Sequence, residues 1–361
     1  MVISMAINED SVSSISTHAG VLHAKQDLRY EQVPFPMLSA GEVLVKVRCA
    51  GICSSDIGRY SSGKMIYKFP LVMGHEFSGE IAKIGVEVDG FSVGEKVAIY
   101  PLIPCDSCEF CKEGKPQLCE KYNYLGSRTS GGFAEYVKCP ASCLVKLPSE
   151  VDLEDAALIE PMAVALHGVR KLNLRAGSSV LVYGMGTVGL FAIQWAKIFG
   201  AGKIIAVDRN DFKLSVARKI GATHTVNSRS SDVLSLVSEL TFGRGTDFVV
   251  ECSGASEFEV QSLLTVCRGG SIVFVGNPKS KLEIPDDILQ KNLVRKEVSI
   301  LGSWNSVVND DWQMCLDMLA RGAINCKPLI TNRFRLKEIS KVFLDINEKK
   351  FEFIKVIFSS G

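Results

Sequence analysis

Excess charge of either sign is missing from this 361-residue chain: 41 Lys and Arg face 40 Asp and Glu, a formal net charge of +1. No whole-protein field favours nucleic acid or an anionic membrane, so any anion has to be bound locally. Cysteine is too sparse for a disulfide scaffold, at 12 in 39.3 kDa, yet four of the twelve crowd between Cys105 and Cys119. Metal binding is the better reading of that crowding. The start lacks a basic region followed by an apolar stretch, and no Arg precedes Arg29. Neither a secretory nor a mitochondrial presequence is expected, and the expected location is cytoplasmic. One stretch imitates a membrane span, since Ala176 to Ala196 carries no charge, but Gly184, Gly186 and Gly189 break it into a strand, a turn and a buried helix.

What is present is ordinary globular composition, 47% hydrophobic and 22% charged, in a chain long enough for two domains. Residues 1–18 are rich in Ser without apolar period and are expected to be a disordered tail, with order beginning near Gly20. From there to about Tyr136, short strand-like runs such as Val43 to Val47, Glu80 to Ile84 and Lys96 to Ile99 alternate with Gly, Pro and Asp turns. The texture changes after Pro148. Leu153 to His167 has helical spacing, and strands at Val180 to Tyr183, Ile204 to Val207, His224 to Val226, Phe248 to Glu251, Ile272 to Val275 and Ser299 to Leu301 alternate with helices. That alternation predicts an α/β domain with a doubly wound parallel sheet. Asn210 and Gly221 cap a helix at Asp211 to Ile220, and a later one is expected at Asp311 to Arg321. The last apolar run, Phe353 to Phe358, is expected to rejoin the first domain. The expected division is 19–159 with 304–361 as a β-rich domain, and 160–303 as a dinucleotide-binding domain.

The first of those strands runs into Gly184-Met-Gly186-Thr187-Val188-Gly189 and then a helix. A tight turn, a close backbone approach to pyrophosphate and a close helix–strand contact require glycine at these three positions, and the helix N-terminus faces the phosphates. A bare glycine triplet is weak, but a second strand ends in Asp208, 24 residues past Gly184, near the ~20-residue interval at which an acid meets the adenosine ribose. NAD is favoured over NADP. Arg209 either stacks on adenine, softens that preference, or is a solvated surface side chain.

Cys105, Cys108, Cys111 and Cys119 have the spacing C-x2-C-x2-C-x7-C, which matches neither familiar ferredoxin pattern. Four thiolates can close around one tetrahedral zinc at about 2.3 Å per bond, a structural site with no open position. The surrounding acids Asp106, Glu109, Glu113 and Glu120 leave no basic stripe for nucleic acid. Separately, Cys53, His75 and Glu76 offer a thiolate, an imidazole and a carboxylate. Adding Glu160, an acid inside the apolar stretch Leu158-Ile-Glu160-Pro161, makes a set with the composition of an open catalytic zinc site. Glu160 also reads as a helix N-terminal acid ahead of Pro161, and spacing alone leaves both readings standing.

Taken together, Gly51-Ile-Cys53-Ser-Ser55-Asp56, Gly74-His75-Glu76, the four-cysteine lobe, the glycine motif and Asp208 resemble the zinc-containing medium-chain alcohol/polyol dehydrogenases over nearly the whole chain. That resemblance implies a GroES-like catalytic domain, a Rossmann domain, and two zinc ions per chain with NAD. It implies that Cys53, His75 and Glu160 hold catalytic zinc, with Glu76 as an alternating or water-bridged ligand and Asp56 behind His75. It also implies that Ser55 starts a proton relay and Lys213 binds the ribose. Glu160 in Ile159-Glu160-Pro161 is similar to the polyol branch, where simple alcohol dehydrogenases place a cysteine. Tyr124-Leu-Gly-Ser-Arg128 and Leu301-Gly-Ser-Trp304-Asn305 resemble the galactitol-1-phosphate 5-dehydrogenase subgroup.

The implied substrate is a polyol or sugar-alcohol phosphate, with a free polyol (sorbitol, xylitol, butanediol) or threonine as the alternatives. A non-catalytic NAD-binding sensor stands as the reading outside the class. Candidates for a distal phosphate are Arg128, Arg59 and Lys64, and Trp304 and Asn305 are expected to line the cleft. No nucleic-acid or membrane partner is expected, and a homodimer or homotetramer is.

Overall fold

The structure is a computed structural model, and it describes residues 16–63 and 66–360. The chain divides into two compact units, one of Met1–Cys108, Cys119–Leu158 and Asn332–Gly361, the other of Glu109–Leu118 and Ile159–Thr331. Among the described residues no helix is long and apolar enough to cross a membrane.

The strands of the first unit are β1 (Ser16–Ala24), β2 (Asp27–Pro34), β3 (Glu42–Gly51), β4 (Leu71–Val72), β5 (Glu76–Ile84), β6 (Lys96–Ile99), β7 (Leu102–Ile103), β8 (Asn123–Tyr124), β9 (Tyr136–Pro140) and β10 (Leu144–Lys146). The six strands of the second are β11 (Ser179–Tyr183), β12 (Lys203–Asp208), β13 (His224–Asn227), β14 (Thr246–Glu251), β15 (Val266–Phe274) and β16 (Ser299–Gly302). Two more, β17 (Ile330–Arg335) and β18 (Lys355–Ser359), follow.

A sheet in the order β10-β6-β5-β3-β18-β17, with β9 also pairing β3, forms the centre of the first unit, and β2-β1-β4 make a smaller sheet. Alternation along β3 and β5 turns Val43, Val45, Val47, Phe77 and Ile81 inward, where they meet Phe133, Phe343 and Phe358. The C-terminal run does rejoin this unit, as β18 pairs antiparallel with β3.

All pairs in the second unit's sheet are parallel, and its order is β13-β12-β11-β14-β15-β16. Numbered within the unit, that order is 3-2-1-4-5-6, the Rossmann arrangement, whose crevice opens at the carboxyl ends of the strands where the order reverses. Between β11 and β14 lies that reversal, and the glycine motif follows β11. The core is built on both inner strands, and Tyr183 stacks on Phe258 at 4.9 Å.

Three expectations about boundaries need correction. Order starts at Ser16 rather than near Gly20, because β1 pairs β2 from Ser16 and the Thr17 hydroxyl and His18 N–H both donate to Glu135; residues 1–15 lie outside the described residues. Residues 304–331 fall with the second unit rather than the first. Asp311 explains this: its buried carboxylate holds His167 Nδ1 at 2.8 Å and Arg170 Nη1 at 3.0 Å, both on the helix Ile159–Arg170. The expected helix at Asp311 to Arg321 begins earlier, as a π-helical turn over Val308–Trp312 that continues into Gln313–Ala320.

Candidate active site

The helix Ser54–Ser62 begins directly after β3, and its N-terminus explains the placement of Cys53. Cys53 is extended, and its N–H donates to Asp56 Oδ2 at 3.1 Å, which fixes the turn. Asp56 is fully buried, and its other oxygen takes Arg59 Nη1 at 3.0 Å. His75 precedes β5, with Nδ1 3.5 Å from that same Oδ1 but outside hydrogen-bond geometry, so Nδ1 is a buried nitrogen without a hydrogen bond.

One ligand atom from each of Cys53, His75 and Glu76 lies within 4.8 Å of the other two. Burial on its own pushes the His75 imidazole down, but the Asp56 carboxylate and the Cys53 sulfur outweigh it and hold the pKa well above its ordinary value. The pocket is therefore a field for positive charge. With its thiolate, imidazole and carboxylate, it fits a divalent zinc with an open position.

Glu76 has a partner that sequence reasoning missed. Lys355 in β18 is as buried as Glu76, at 1% exposure each, and its ammonium donates to Glu76 Oε2 and, at 2.8 Å, to the carbonyl of Ile52. Gly51 makes room for the pair, since a Cβ there would sit 2.6 Å from Glu76 Oε2. A signal did exist: a lone lysine inside an apolar strand demands a buried acid. Ser55, half-buried, accepts a hydrogen bond from Arg59 Nη1 at 3.1 Å. Glu160 belongs to the second unit, where it is buried in the first turn of the helix Ile159–Arg170.

In the second unit the glycine motif makes the turn from β11 into the helix Thr187–Ile198, which Gly186 caps. Thr187 and Val188 open that helix. A Cβ on Gly189 would fall 1.9 Å from the Gly184 carbonyl oxygen, so only glycine permits this approach. Asp208 ends β12, and its carboxylate accepts the Met185 N–H at 2.6 Å and the Asn210 N–H at 3.0 Å. Lys213 donates its backbone N–H to the capping Asn210 side chain. Arg209 pairs with Glu257 at 2.8 Å and lies over the Phe258 ring.

At the carboxyl edge of the same sheet, after β16, the Ser303 hydroxyl and Asn305 Nδ2 are buried without a partner in the protein; Trp304 between them is exposed. Ser303 was not singled out from sequence. Glu251 was missed as well: wholly buried at the end of β14, it gathers the N–H groups of Ser253 and Gly254 and shapes the loop at the order reversal.

The sulfurs of Cys105, Cys108, Cys111 and Cys119 also lie within 4.8 Å of one another. The Ser107 hydroxyl and N–H and the Cys108 N–H draw the Cys105 thiol down to about 6, so a thiolate is available at neutral pH. This loop fits a structural zinc site.

Arg128 follows the loop. Its guanidinium is sandwiched between Tyr122, 3.8 Å from the ring centroid, and Tyr67, at 4.6 Å, while Nη1 donates to the Tyr122 carbonyl and Nε is buried without a partner. Tyr122 meets Tyr124 edge-on, and Tyr124 in turn flanks the His75 ring at 5.8 Å. Of the other cations weighed for a phosphate, Arg59 is committed to Asp56 and Ser55, and Lys64 lies outside the described residues.

Two family models match the chain: the alcohol dehydrogenase GroES-like domain over residues 39–149 and the zinc-binding dehydrogenase over residues 187–321. Among curated relatives, the sorbitol dehydrogenase of Bacillus subtilis is 35% identical over 343 residues, covering 94% of this chain and 96% of that protein. An L-threonine 3-dehydrogenase of Bacillus licheniformis is 37% identical over 87% of this chain and 90% of its own length. The crystal structure of galactitol-1-phosphate dehydrogenase from Escherichia coli superposes with a TM-score of 0.89 at 30% identity, covering 95% of this chain and 99% of that one.

Proposed function

The chain belongs to the zinc-containing medium-chain alcohol and polyol dehydrogenases, and from that premise we propose that it oxidises a secondary hydroxyl of a polyol phosphate with NAD. The observation that carries the reading is the convergence of Cys53, His75 and Glu76 in a pocket that favours positive charge. In this reading Glu160 joins Cys53 and His75 as a zinc ligand, and Glu76 is the alternating one. Bound there, zinc supplies Lewis acidity that eases loss of the hydroxyl proton.

The remaining work falls to side chains. Asp56 and Arg59 hold Cys53 and Ser55 in place. Ser55 Oγ, already accepting from Arg59, is oriented to take the substrate proton and pass it on. The Met185 and Asn210 N–H groups fix the Asp208 carboxylate for the ribose 2′-hydroxyl, which disfavours a 2′-phosphate. Ser303 and Asn305 offer unpaired polar groups at the sheet edge where the cofactor binds. Thiolate ligands in both cysteine sites suit a reducing compartment, which supports a cytoplasmic location.

Phosphorylation of the substrate is supported by Arg128. Of the three candidate cations it is the described one not engaged by an acid, and two tyrosine faces hold it rigid with Nε buried and unpaired. A phosphate would satisfy that donor.

The test is a rate panel with NAD on galactitol 1-phosphate, sorbitol, xylitol, 2,3-butanediol and threonine, before and after chelation. Galactitol 1-phosphate is expected to be the best substrate, and chelation to abolish turnover. In Arg128→Ala the KM for the phosphate ester should rise about tenfold or more while that for sorbitol stays unchanged; an equal rise for both defeats the phosphate assignment. Glu160→Ala is expected to lower kcat/KM at least about a hundredfold and to leave one zinc per chain. Full activity in that variant refutes the ligand role.

A further inference from the structure

The second unit has a cavity of 570 Å³ lined by the end of the helix Val233–Leu240, the loop 241–245, the start of β15 and Lys296. Its lining includes residues next to the first residues of β14 and β15, so it opens at the amino ends of the strands. The glycine motif and Asp208 sit at the carboxyl ends. The two sites therefore occupy opposite edges of one sheet, and nothing in the dinucleotide chemistry accounts for this cavity.

Its floor is apolar, made by Leu234, Val237 and Leu264, and three cations line it. Arg244 is neutralised by Asp247, at 2.9 Å. Arg268 and Lys296 are not: Arg268 Nη1 donates to the Arg295 carbonyl at 3.0 Å and Lys296 Nζ to the Val266 carbonyl at 3.0 Å, and among the described residues neither has a carboxylate partner. Burial and the nearby Arg268 charge both push the Lys296 ammonium below its ordinary pKa, which registers the same imbalance. Two uncompensated charges beside an apolar floor match a dianion carried on an apolar body. A phosphate monoester, at −1.5 to −2 near pH 7, has that charge, and the volume is of small-ligand size.

We propose that this cavity binds an organic phosphate monoester, with Arg268 and Lys296 on the phosphate and Leu234, Val237 and Leu264 under the organic group. The site is separate from the cofactor edge and from the Arg128 subsite, so its test is independent of the catalytic reading.

Phenyl phosphate is titrated calorimetrically into the full-length, zinc-loaded protein saturated with NAD at pH 8. One equivalent is expected to bind, more tightly than inorganic phosphate because the ring covers the apolar floor. The Arg268→Gln/Lys296→Gln variant keeps amide donors for the two carbonyls and removes both charges. Its affinity should fall tenfold or more, with NAD binding and turnover unchanged. Arg268→Gln alone, at an exposed position, should weaken binding severalfold. Arg128→Ala should leave the titration as in the wild type. Absence of binding, equal affinity in the charge-removed variants, or loss of the signal in Arg128→Ala overturns the proposal.

Discussion

Lys355→Met is expected to lower the thermal midpoint of the protein by about 10 °C. The change strips a buried carboxylate of its ammonium, and breaking one partner of such a pair costs about 3–5 kcal/mol. In a folding unit of this size each kcal/mol moves the midpoint by about 2–4 °C. Both partners are 1% exposed, so solvent cannot replace the lost charge, and the Ile52 carbonyl loses its donor as well. Removing both charges, in Lys355→Met/Glu76→Leu, should recover most of the stability, because a well-packed apolar pair replaces a buried ion pair at little cost. Calorimetric scans of the two variants decide the matter. A single variant that melts with the wild type would show that the pair contributes nothing.

Cys119→Ser is expected to release one zinc per chain and open the loop around it. Between Cys105 and Cys119 the only regular structure is the four-residue helix Glu109–Lys112 and the three-residue turn Pro116–Leu118, and Cys119 itself is the one core residue. Nothing apolar holds that loop, so the metal must do so; structural zinc contributes about 10–16 kcal/mol in small peptides. Trypsin should then cut after the exposed Lys112 and Lys115 at least about tenfold faster than in the wild type, since local opening sets the rate. Two zinc ions retained, with unchanged digestion, would remove the loop's metal from the account.

These two effects differ in how visible they were beforehand. The cysteine spacing, the glycine motif and the helix Asp211–Ile220 between Asn210 and Gly221 are local patterns, and a local pattern carries its own geometry. The parallel order followed from alternation of strand and helix for the same reason. Lys355 and Glu76 stand 279 residues apart, and only the pairing of β18 with β3 brings them together. Arg128 could be noticed as a cation, but the sandwich by Tyr67 and Tyr122 depends on a loop conformation that no periodicity encodes. The boundary at 304 failed likewise: the tie from Asp311 to His167 spans 144 residues, and a change of texture along the chain does not report it.

Asp208 holds the turn that precedes the phosphate-binding helix while presenting itself to the ribose, through a single carboxylate shared between Met185 and Asn210. Coenzyme engineering at this position therefore faces a coupled cost. Any neutral replacement chosen to admit a 2′-phosphate also surrenders two main-chain anchors, and a successful redesign has to supply substitutes for both before altered selectivity can show.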